Sequence, residues 1–391
     1  MGANFAMTAT TLYGLEEVLA KELRDLGAQE VTIGNRSVSF LGDKGFMYKA
    51  NIALRTAIRV LKPIKRFRVR DEQEMYDKIK QLRWDHFMDV DGTFLIKAAI
   101  NQTQVSSNSH YVTLKAKDAI ADYFRDKFGK RPSVDSQYPD VTVHVHISRD
   151  MCTVSMDSSG QSLHKRGYRS ATNLAPINEV LAAGMLQLAG YTGDQNLIDP
   201  MCGSGTILIE AAMIANNIPA NINRKHFGFE NWKDYDEDLY FRIQDSLLKK
   251  ITSSSFKIMG FDKAPSAVRK AKDNVEQANL SDFIGIHHVN FFLSEKEVFG
   301  RTMLMFNPPY GERLQIDGIE DFYRNIGDTL KKSYTDTTVW FITSDLEALK
   351  HVGLKTSRRI PLKNGPLDCR LVRYDMYSGS KKLKKQPKEQ E

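Results

Sequence analysis

Apolar residues recur along the chain with two different periods. Leu15, Val18, Leu19, Leu23 and Leu26 fall at helical spacing, whereas Val31 and Ile33, then Val38 and Phe40, repeat every second residue as half-buried strands do. With strand-like stretches at 4–9 and 64–69 and a helical one at 45–57, the start of the chain reads as a small α+β unit. A second such unit follows, with a strand at 93–99, a helix at 114–128 and strands at 141–147 and 151–157. The polar stretch 130–140, holding two prolines, reads as the loop between helix and strand.

The texture changes near residue 161. A helix is predicted over 178–188, then apolar strands at 196–198, 257–261, 285–289, 302–306, 338–343 and 371–376 alternate with helices. That alternation argues for a mostly parallel sheet covered on both faces, an α/β domain. Residues 216–255, rich in charge and aromatics, are long for a crossover and read as a helical insertion. The lysine-rich end 379–391 has Leu383 as its one aliphatic side chain and reads as a disordered tail.

Composition narrows the classes. The 391 residues, 41% hydrophobic and 26% charged, suit two or three globular domains. A mean hydropathy of -0.40, no run of eighteen apolar residues and a polar-interrupted N-terminus argue against membrane spans and a secretory leader, so a cytoplasmic protein is expected. Cys152, Cys202 and Cys369 are odd in number and widely spaced, which predicts reduced thiols and no structural metal site. The 55 Lys and Arg exceed the 48 Asp and Glu by seven, which makes a polyanionic partner plausible.

The chemistry-bearing motifs sit at predicted strand ends. Leu197-Ile198-Asp199 runs into Pro200-Met201-Cys202-Gly203-Ser204-Gly205-Thr206 and then a helix. A strand ending in an acid, followed by Gly-x-Gly into a helix, lets backbone approach a ligand closely. The stretch lacks the third glycine of a dinucleotide fingerprint and the Gly-Lys-Ser/Thr of a P-loop, leaving S-adenosylmethionine as the remaining common ligand. The same glycines could serve only a tight turn. A second strand ends in Asp262, placed to accept from ribose hydroxyls or, more simply, to cap the helix over 265–278. A third ends in Asn290 and Phe291, which could border an adenine ring.

The strand 302–306 leads into Asn307-Pro308-Pro309-Tyr310. Two prolines fix φ and remove two N–H groups, so this strand end presents acceptors. The Asn307 side-chain oxygen and the Pro308 carbonyl can accept from both hydrogens of a planar exocyclic amine, and Tyr310 can stack on its base. Positioning would then supply most of the acceleration. A rigid turn with no further role is the plainer alternative.

DPMCGSGTILIEAA (199–212), NPPYGERL (307–314), HKRGYR (164–169), API (175–177) and GPLDCRLVRYDMY (365–377) together resemble the RlmL-type THUMP-domain RNA methyltransferases, many of which carry the label N6-adenine-specific DNA methylase. The resemblance covers nearly the whole chain. It implies a ferredoxin-like α+β region at 1–60, a THUMP RNA-binding domain at 61–160 and a Rossmann-like methyltransferase domain at 161–378. It also implies methyl transfer from S-adenosylmethionine to the N2 amine of a guanine in 23S rRNA, free or in an assembling large subunit. Carried over by position, Asp199, Cys202, Gly203, Ser204, Gly205 and Thr206 would line the methionine end of the cofactor and Asp262 would hold its ribose. Asn307, Pro308, Pro309 and Tyr310 would orient the target, while Arg166, Tyr168 and Pro176 would close the cofactor cleft. Asn290 stands where the family usually has an acid beside the adenine amine, and some relatives carry a second, C-terminal methyltransferase module with no counterpart here.

For RNA contact the candidates are Lys65, Arg66, Arg68, Lys115, Lys117, Lys130 and Arg131, cations near Phe67 and Tyr123. Any one of them could equally belong to a solvated basic face. His144 and His146 share one strand face but lack a third ligand nearby, so they read as surface or RNA-contacting residues rather than a metal site. The leading expectation is an RNA guanine-N2 methyltransferase. The alternatives are an N6-adenine methyltransferase acting on DNA or RNA, and an idle RNA-binding protein that kept the fold.

Overall fold

The computed structural model describes residues 3–169, 176–309 and 318–378. They fall into two units, the first built from Met1–Arg169, Asn178–Gly184 and Asn216–Thr252, the second from the remainder. The tail 379–391 and the Tyr310 position lie outside the described residues.

The first unit holds β1 (Phe5–Thr11), α1 (Glu16–Leu26), β2 (Gln29–Gly34), β3 (Ser37–Gly42), α2 (Lys44–Ala53), β4 (Ala57–Arg68), α3 (Glu72–Lys80), β5 (Thr93–Asn101), α4 (Ser109–Phe128), β6 (Ser133–Val134), β7 (Val141–Ser148) and β8 (Met151–Asp157). The strands form a single sheet in the order β2-β3-β1-β4-β8-β7-β5-β6. The two α+β units expected from the sequence are therefore one sheet in space. The long strand β4 joins them, pairing Leu61 with Thr8 of β1 and Phe67 with Cys152 of β8. Pro63 is tolerated in β4 because it lies at the register shift, where a missing N–H disturbs the ladder least.

Alternation assigns the two faces of this sheet. Val141, Val143, Val145 and Ile147 of β7 join Cys152, Val154 and Met156 of β8 in a core with Val112, Ala116, Ala119 and Ile120 of α4. Helix α4 starts where the Asn108 side chain accepts from the His110 N–H at 2.8 Å and ends at Gly129, in the left-handed region at φ +67°.

Residues 216–252 also pack in this unit. Phe227 and Phe229 stack with ring centroids 5.3 Å apart, and Tyr48 of α2 lies 4.4 Å from Phe229. Asn221 Nδ2 donates to the carbonyls of Asn51 at 2.9 Å and Leu54 at 3.2 Å, covering the end of α2. The stretch also contains α7 (Glu237–Leu248). It is inserted in sequence between elements of the second unit, but its aromatics find their partners in the first.

Helix α5 (Glu179–Leu188) passes from the first unit into the second. The second unit then holds β9 (Asn196–Asp199), α6 (Thr206–Ala215), β10 (Ile258–Asp262), α8 (Pro265–Gln277), β11 (Ile284–His288), β12 (Thr302–Phe306), α9 (Ile319–Ser333), β13 (Thr338–Thr343), β14 (Arg358–Asn364) and β15 (Leu367–Asp375). The sheet order is β11-β10-β9-β12-β13-β15-β14. Strands β9 to β13 run parallel, and β15 pairs antiparallel with both β13 and β14. Strand order reverses between β9 and β12, and a crevice at the carboxyl ends of such neighbours is where open α/β sheets bind ligands. Cys152, Cys202 and Cys369 are buried and form no disulfide among the described residues.

Candidate active site

Four of the strand-end polar residues singled out in the sequence lie on one edge of the second sheet. Asp199 ends β9, Asp262 ends β10, Asn290 lies two residues past β11, and Asn307 follows β12 directly. Strands β9 and β12 are neighbours, with Ile198 opposite Leu304, so Asn307 comes level with Met201. The glycine loop and the Asn-Pro-Pro loop thus leave adjacent parallel strands, about 4.8 Å apart, in the same direction.

Backbone and carboxylate bonds fix the glycine loop. The Cys202 N–H donates to the Phe261 carbonyl at 2.8 Å and the Gly205 N–H to the Cys202 carbonyl at 2.8 Å. Asp262 accepts from the Gly203 N–H at 3.0 Å through Oδ2 and from the Ala264 N–H at 2.9 Å through Oδ1; it lies two residues before Ala264, the N-cap of α8, and does not make the helical cap expected of it. Asn274 of α8 donates to the Ser204 carbonyl at 2.9 Å. Sequence reasoning missed Asn274, although its signal was present: it is a buried amide on the apolar stripe of Ala267, Val268, Ala271 and Val275. Gly260 in β10 lets α6 close in, since a Cβ there would fall 2.3 Å from Leu208 Cδ1.

Two observations bear on whether a nucleoside cofactor fits here. Gly203 sits at φ +56°, and a Cβ built on it would meet nothing within 4 Å, so the loop faces open space. The Asn307 Oδ1 is buried and accepts no hydrogen bond from the described residues, an orphan acceptor among them at the mouth of the same edge. The neighbouring acids are electrostatically tense. Burial pushes the Asp199 carboxyl well above the ordinary carboxylate range, the Met201 N–H bond offsets this in part, and the charge of Asp262 adds to it. Burial likewise raises the Cys202 thiol, with Asp199 and Asp262 contributing, so this cysteine is a packed thiol and not a nucleophile. A cationic group lodged here would relieve the acids.

The remaining site candidates are placed as follows. Thr206 opens α6, and Ser204 Oγ lies 3.5 Å from Thr206 Oγ1. Asn290 caps a short 3-10 turn, accepting from the Phe292 N–H at 3.1 Å. Pro308 is buried, and Pro309 and Pro176 are half-buried. Arg166 and Tyr168 belong to the first unit and are each 1% exposed. The Arg166 guanidinium donates to the Leu163 carbonyl at 2.9 Å, Asn221 Oδ1 at 3.1 Å and the Arg55 carbonyl at 2.5 Å, tying residues 216–252 to the end of α2.

The cations proposed for RNA do not form one patch. Arg66 and Arg68 are exposed on the helix-free face of β4, whereas Lys65 lies opposite Val154 on the helix-covered face. Lys115 lies 5.6 Å over the Tyr76 ring, and Lys117 pairs with Asp118 at 3.1 Å. Lys130, 3.9 Å from Asp91, and Arg131 lie near the start of β5, while Arg68 lies across the sheet from its end. Among the described residues no group of three or more His, Cys, Asp or Glu is arranged to hold a metal, and no helix is long and apolar enough to cross a membrane.

Comparison with known proteins agrees with this architecture. Residues 166–373 match the RMKL-like methyltransferase domain, 69–157 the THUMP domain and 6–61 the RlmL ferredoxin-like domain. A Synechocystis sp. protein provisionally named as an RNA methyltransferase is 36% identical over 371 residues, covering 94% of this chain and 96% of that one. The ribosomal RNA large subunit methyltransferase K/L of Syntrophotalea carbinolica is 34% identical over 96% of this chain and 54% of its own length, so the chain spans about half of that relative. Among solved structures, a protein of Clostridium difficile 630 provisionally named as a methylase superposes with a TM-score of 0.86 at 30% identity, covering 97% of this chain and all of that one. SMU.472, provisionally named as a methyltransferase and solved with S-adenosylhomocysteine, gives a TM-score of 0.85 at 29% identity over 97% of this chain and 100% of its own. With a strand-end acid, an open glycine loop and an Asn-Pro-Pro strand end on one edge of a seven-stranded sheet, following a ferredoxin-like and a THUMP domain in sequence, the chain belongs to the RMKL-like family of S-adenosylmethionine-dependent methyltransferases.

Proposed function

We propose that this protein methylates the N2 amine of a guanine in large-subunit (23S) ribosomal RNA, in the cytoplasm. The observation that carries the reading is the buried Asn307 Oδ1, without a donor among the described residues, on the edge that also holds the open Gly203 loop. A buried acceptor left without a donor is unfavourable, and an exocyclic amine supplies the donor. The relatives named as large subunit rRNA methyltransferases K/L support ribosomal RNA as the source of that amine.

In this reading S-adenosylmethionine supplies an electrophilic methyl group when bound. The residues that would hold it are Asp199, Cys202, Gly203, Ser204, Gly205 and Thr206 around the glycine loop, Asp262 at the ribose and Asn290 at the adenine. Asn307 Oδ1 and the Pro308 carbonyl accept from the two amine hydrogens, which holds the nitrogen with its lone pair free and its base in a fixed plane. Tyr310 stacks on that base. Neither proline can donate a competing hydrogen bond at this strand end.

The test is methyl transfer to ribosomal RNA purified from cells that lack the gene, followed by digestion to nucleosides and mass spectrometry. The expected product is N2-methylguanosine at one position. N6-methyladenosine would replace the base in this assignment, and cofactor binding without transfer to any RNA would leave an idle RNA-binding protein.

A further inference from the structure

Within the first unit, the eight-stranded sheet has one face covered by helices and one on which, among the described residues of that unit, no helix packs. On the latter, strand register lines up side chains in rows: Lys97, His144 and Ser155; then Ala99, His146, Thr153 and Arg66; then Asn101, Ser148, Met151 and Arg68. Successive rows lie about 6.7 Å apart along the strands. We propose that this helix-free face is the docking surface for the phosphate backbone of the RNA substrate, with Lys97, His146 and Arg66 as its central contacts. The inference rests on the RNA reading above and assigns it a place on the molecule.

Three observations carry it. First, Lys97, His146 and Arg66 have no hydrogen bond or ion pair to any other side chain or backbone group among the described residues, and they occupy two adjacent rows. Most of the other cations considered for RNA are engaged, Lys115 over Tyr76, Lys117 with Asp118 and Lys130 near Asp91. Second, short side chains, Ala99, Thr153 and Ser155, lie among these donor side chains, of which His146 is held toward its neutral form by burial, so a ligand backbone can approach the sheet without displacing bulk. Third, acidic groups are scarce and occupied. Asp157, fully buried beside the first row, bonds Arg59 and lies 3.1 Å from His144 Nε2, and Asp150 lies 3.5 Å from Arg68 at the far end. None of the large hydrophobic side chains exposed elsewhere on the protein belongs to these rows, so the face suits a polyanion rather than an apolar partner.

The electrostatic surroundings agree. His164 is held down to about 4, first by burial and then by Lys165, Arg166, Arg169 and Arg59. The Lys97 ammonium is lowered by burial and by Arg59 and Lys165, with Asp157 opposing. Cations on and around this face repel one another, and bound phosphates would remove that repulsion.

The test measures binding of the full-length protein to a transcribed large-subunit rRNA domain by fluorescence anisotropy between about 50 and 200 mM salt. The double variant Arg66→Glu/His146→Glu changes only exposed side chains, so it should fold; Lys97→Glu is the second variant. At least tenfold weaker RNA binding is expected in each, with the slope of log K against log salt reduced by about one per lost phosphate contact and S-adenosylhomocysteine affinity unchanged. Lys21→Glu on the exposed side of α1 should bind as the parent does. Parent-like RNA affinity in the double variant, with the parent itself binding well, overturns this placement. A parent protein that binds S-adenosylhomocysteine but no rRNA overturns the RNA reading instead, and the two failures are thereby told apart.

Discussion

The Asp262 carboxylate accepts the Gly203 N–H at 3.0 Å, so the end of β10 grips the turn that follows β9. Loop and acid are positioned by each other. Asp262→Ala should therefore do more than remove a contact to a ribose: it frees the loop, and a hydrogen bond to a charged group contributes about 1.5–3 kcal/mol. Calorimetric titration with S-adenosylhomocysteine is expected to show affinity lowered by roughly ten- to a hundredfold. Unchanged affinity would mean the loop holds its shape alone.

Gly203→Ala separates a ligand cradle from a mere turn. Its φ of +56° strains any side chain by about 1–2 kcal/mol, yet the added methyl meets no atom of the described residues within 4 Å. Thermal unfolding should shift modestly while cofactor affinity falls by more than tenfold. A stability loss with full affinity would leave Gly203 a purely conformational residue.

Asp199 makes cofactor affinity pH-dependent. Burial raises its pKa, so in the free protein it tends to hold a proton above the usual carboxylate range, and a cationic sulfonium nearby favours its ionised form. Binding then releases a proton. Affinity for S-adenosylmethionine should rise with pH, by at most about tenfold per unit, and level off above the free-protein pKa. S-adenosylhomocysteine, which lacks the charge, should give a shallower profile in titrations between about pH 5 and 8. Parallel profiles for the two ligands would remove Asp199 from the sulfonium's surroundings.

Asn307→Ala should abolish turnover without harming the fold. Its buried Oδ1 has no donor among the described residues, so losing it relieves an unsatisfied group rather than breaking a bond. The melting temperature is expected to stay level or rise, cofactor affinity to stay within about tenfold, and kcat to fall by about 10²-fold or more. Surviving activity would take the acceptor role away from Asn307.

In the first unit, burial alone would raise the Asp157 pKa, but the His144 bond and the charges of Arg59, His144 and Lys97 together hold it below the ordinary value. A carboxylate depressed in this way stabilises the fold above its unfolded pKa and loses that contribution as pH falls through the folded one. Asp157→Asn leaves Arg59 without its buried counter-charge and should cost about 3–5 kcal/mol in denaturant melts near neutral pH. The gap to the parent should narrow on acidification.

What the sequence revealed was what is local. Strands β12 and β13 are expected and observed over the same residues, 302–306 and 338–343, because an unbroken apolar run between polar turns has few alternatives. The four strand-end polar residues were legible for the same reason. Helix α3 escaped notice because Met75 and Ile79 are its only buried residues, too few to mark a period. Strand β14, RRIPLKN, is a polar edge strand containing Pro361, and it pairs with β15 alone. The helix read over 45–57 ends at Ala53, and the strand read at 64–69 begins already at Ala57, since only partners on both sides make residues 57–63 extended. The aromatics of 227–240 advertised a packed insertion, but their partner Tyr48 lies far upstream. The basic rows of the first sheet were invisible because they combine β4, β5 and β7 through register that no single stretch encodes.

Strand β4 also decides what can be cut from this protein. A fragment beginning at residue 69, where the THUMP match starts, would strip β8 of its neighbour along Met151 to Asp157 and bare a raw border of main chain, a template for aggregation. The ferredoxin-like and THUMP regions, separable on paper, share a hem and can be expressed, melted or exchanged only as a pair.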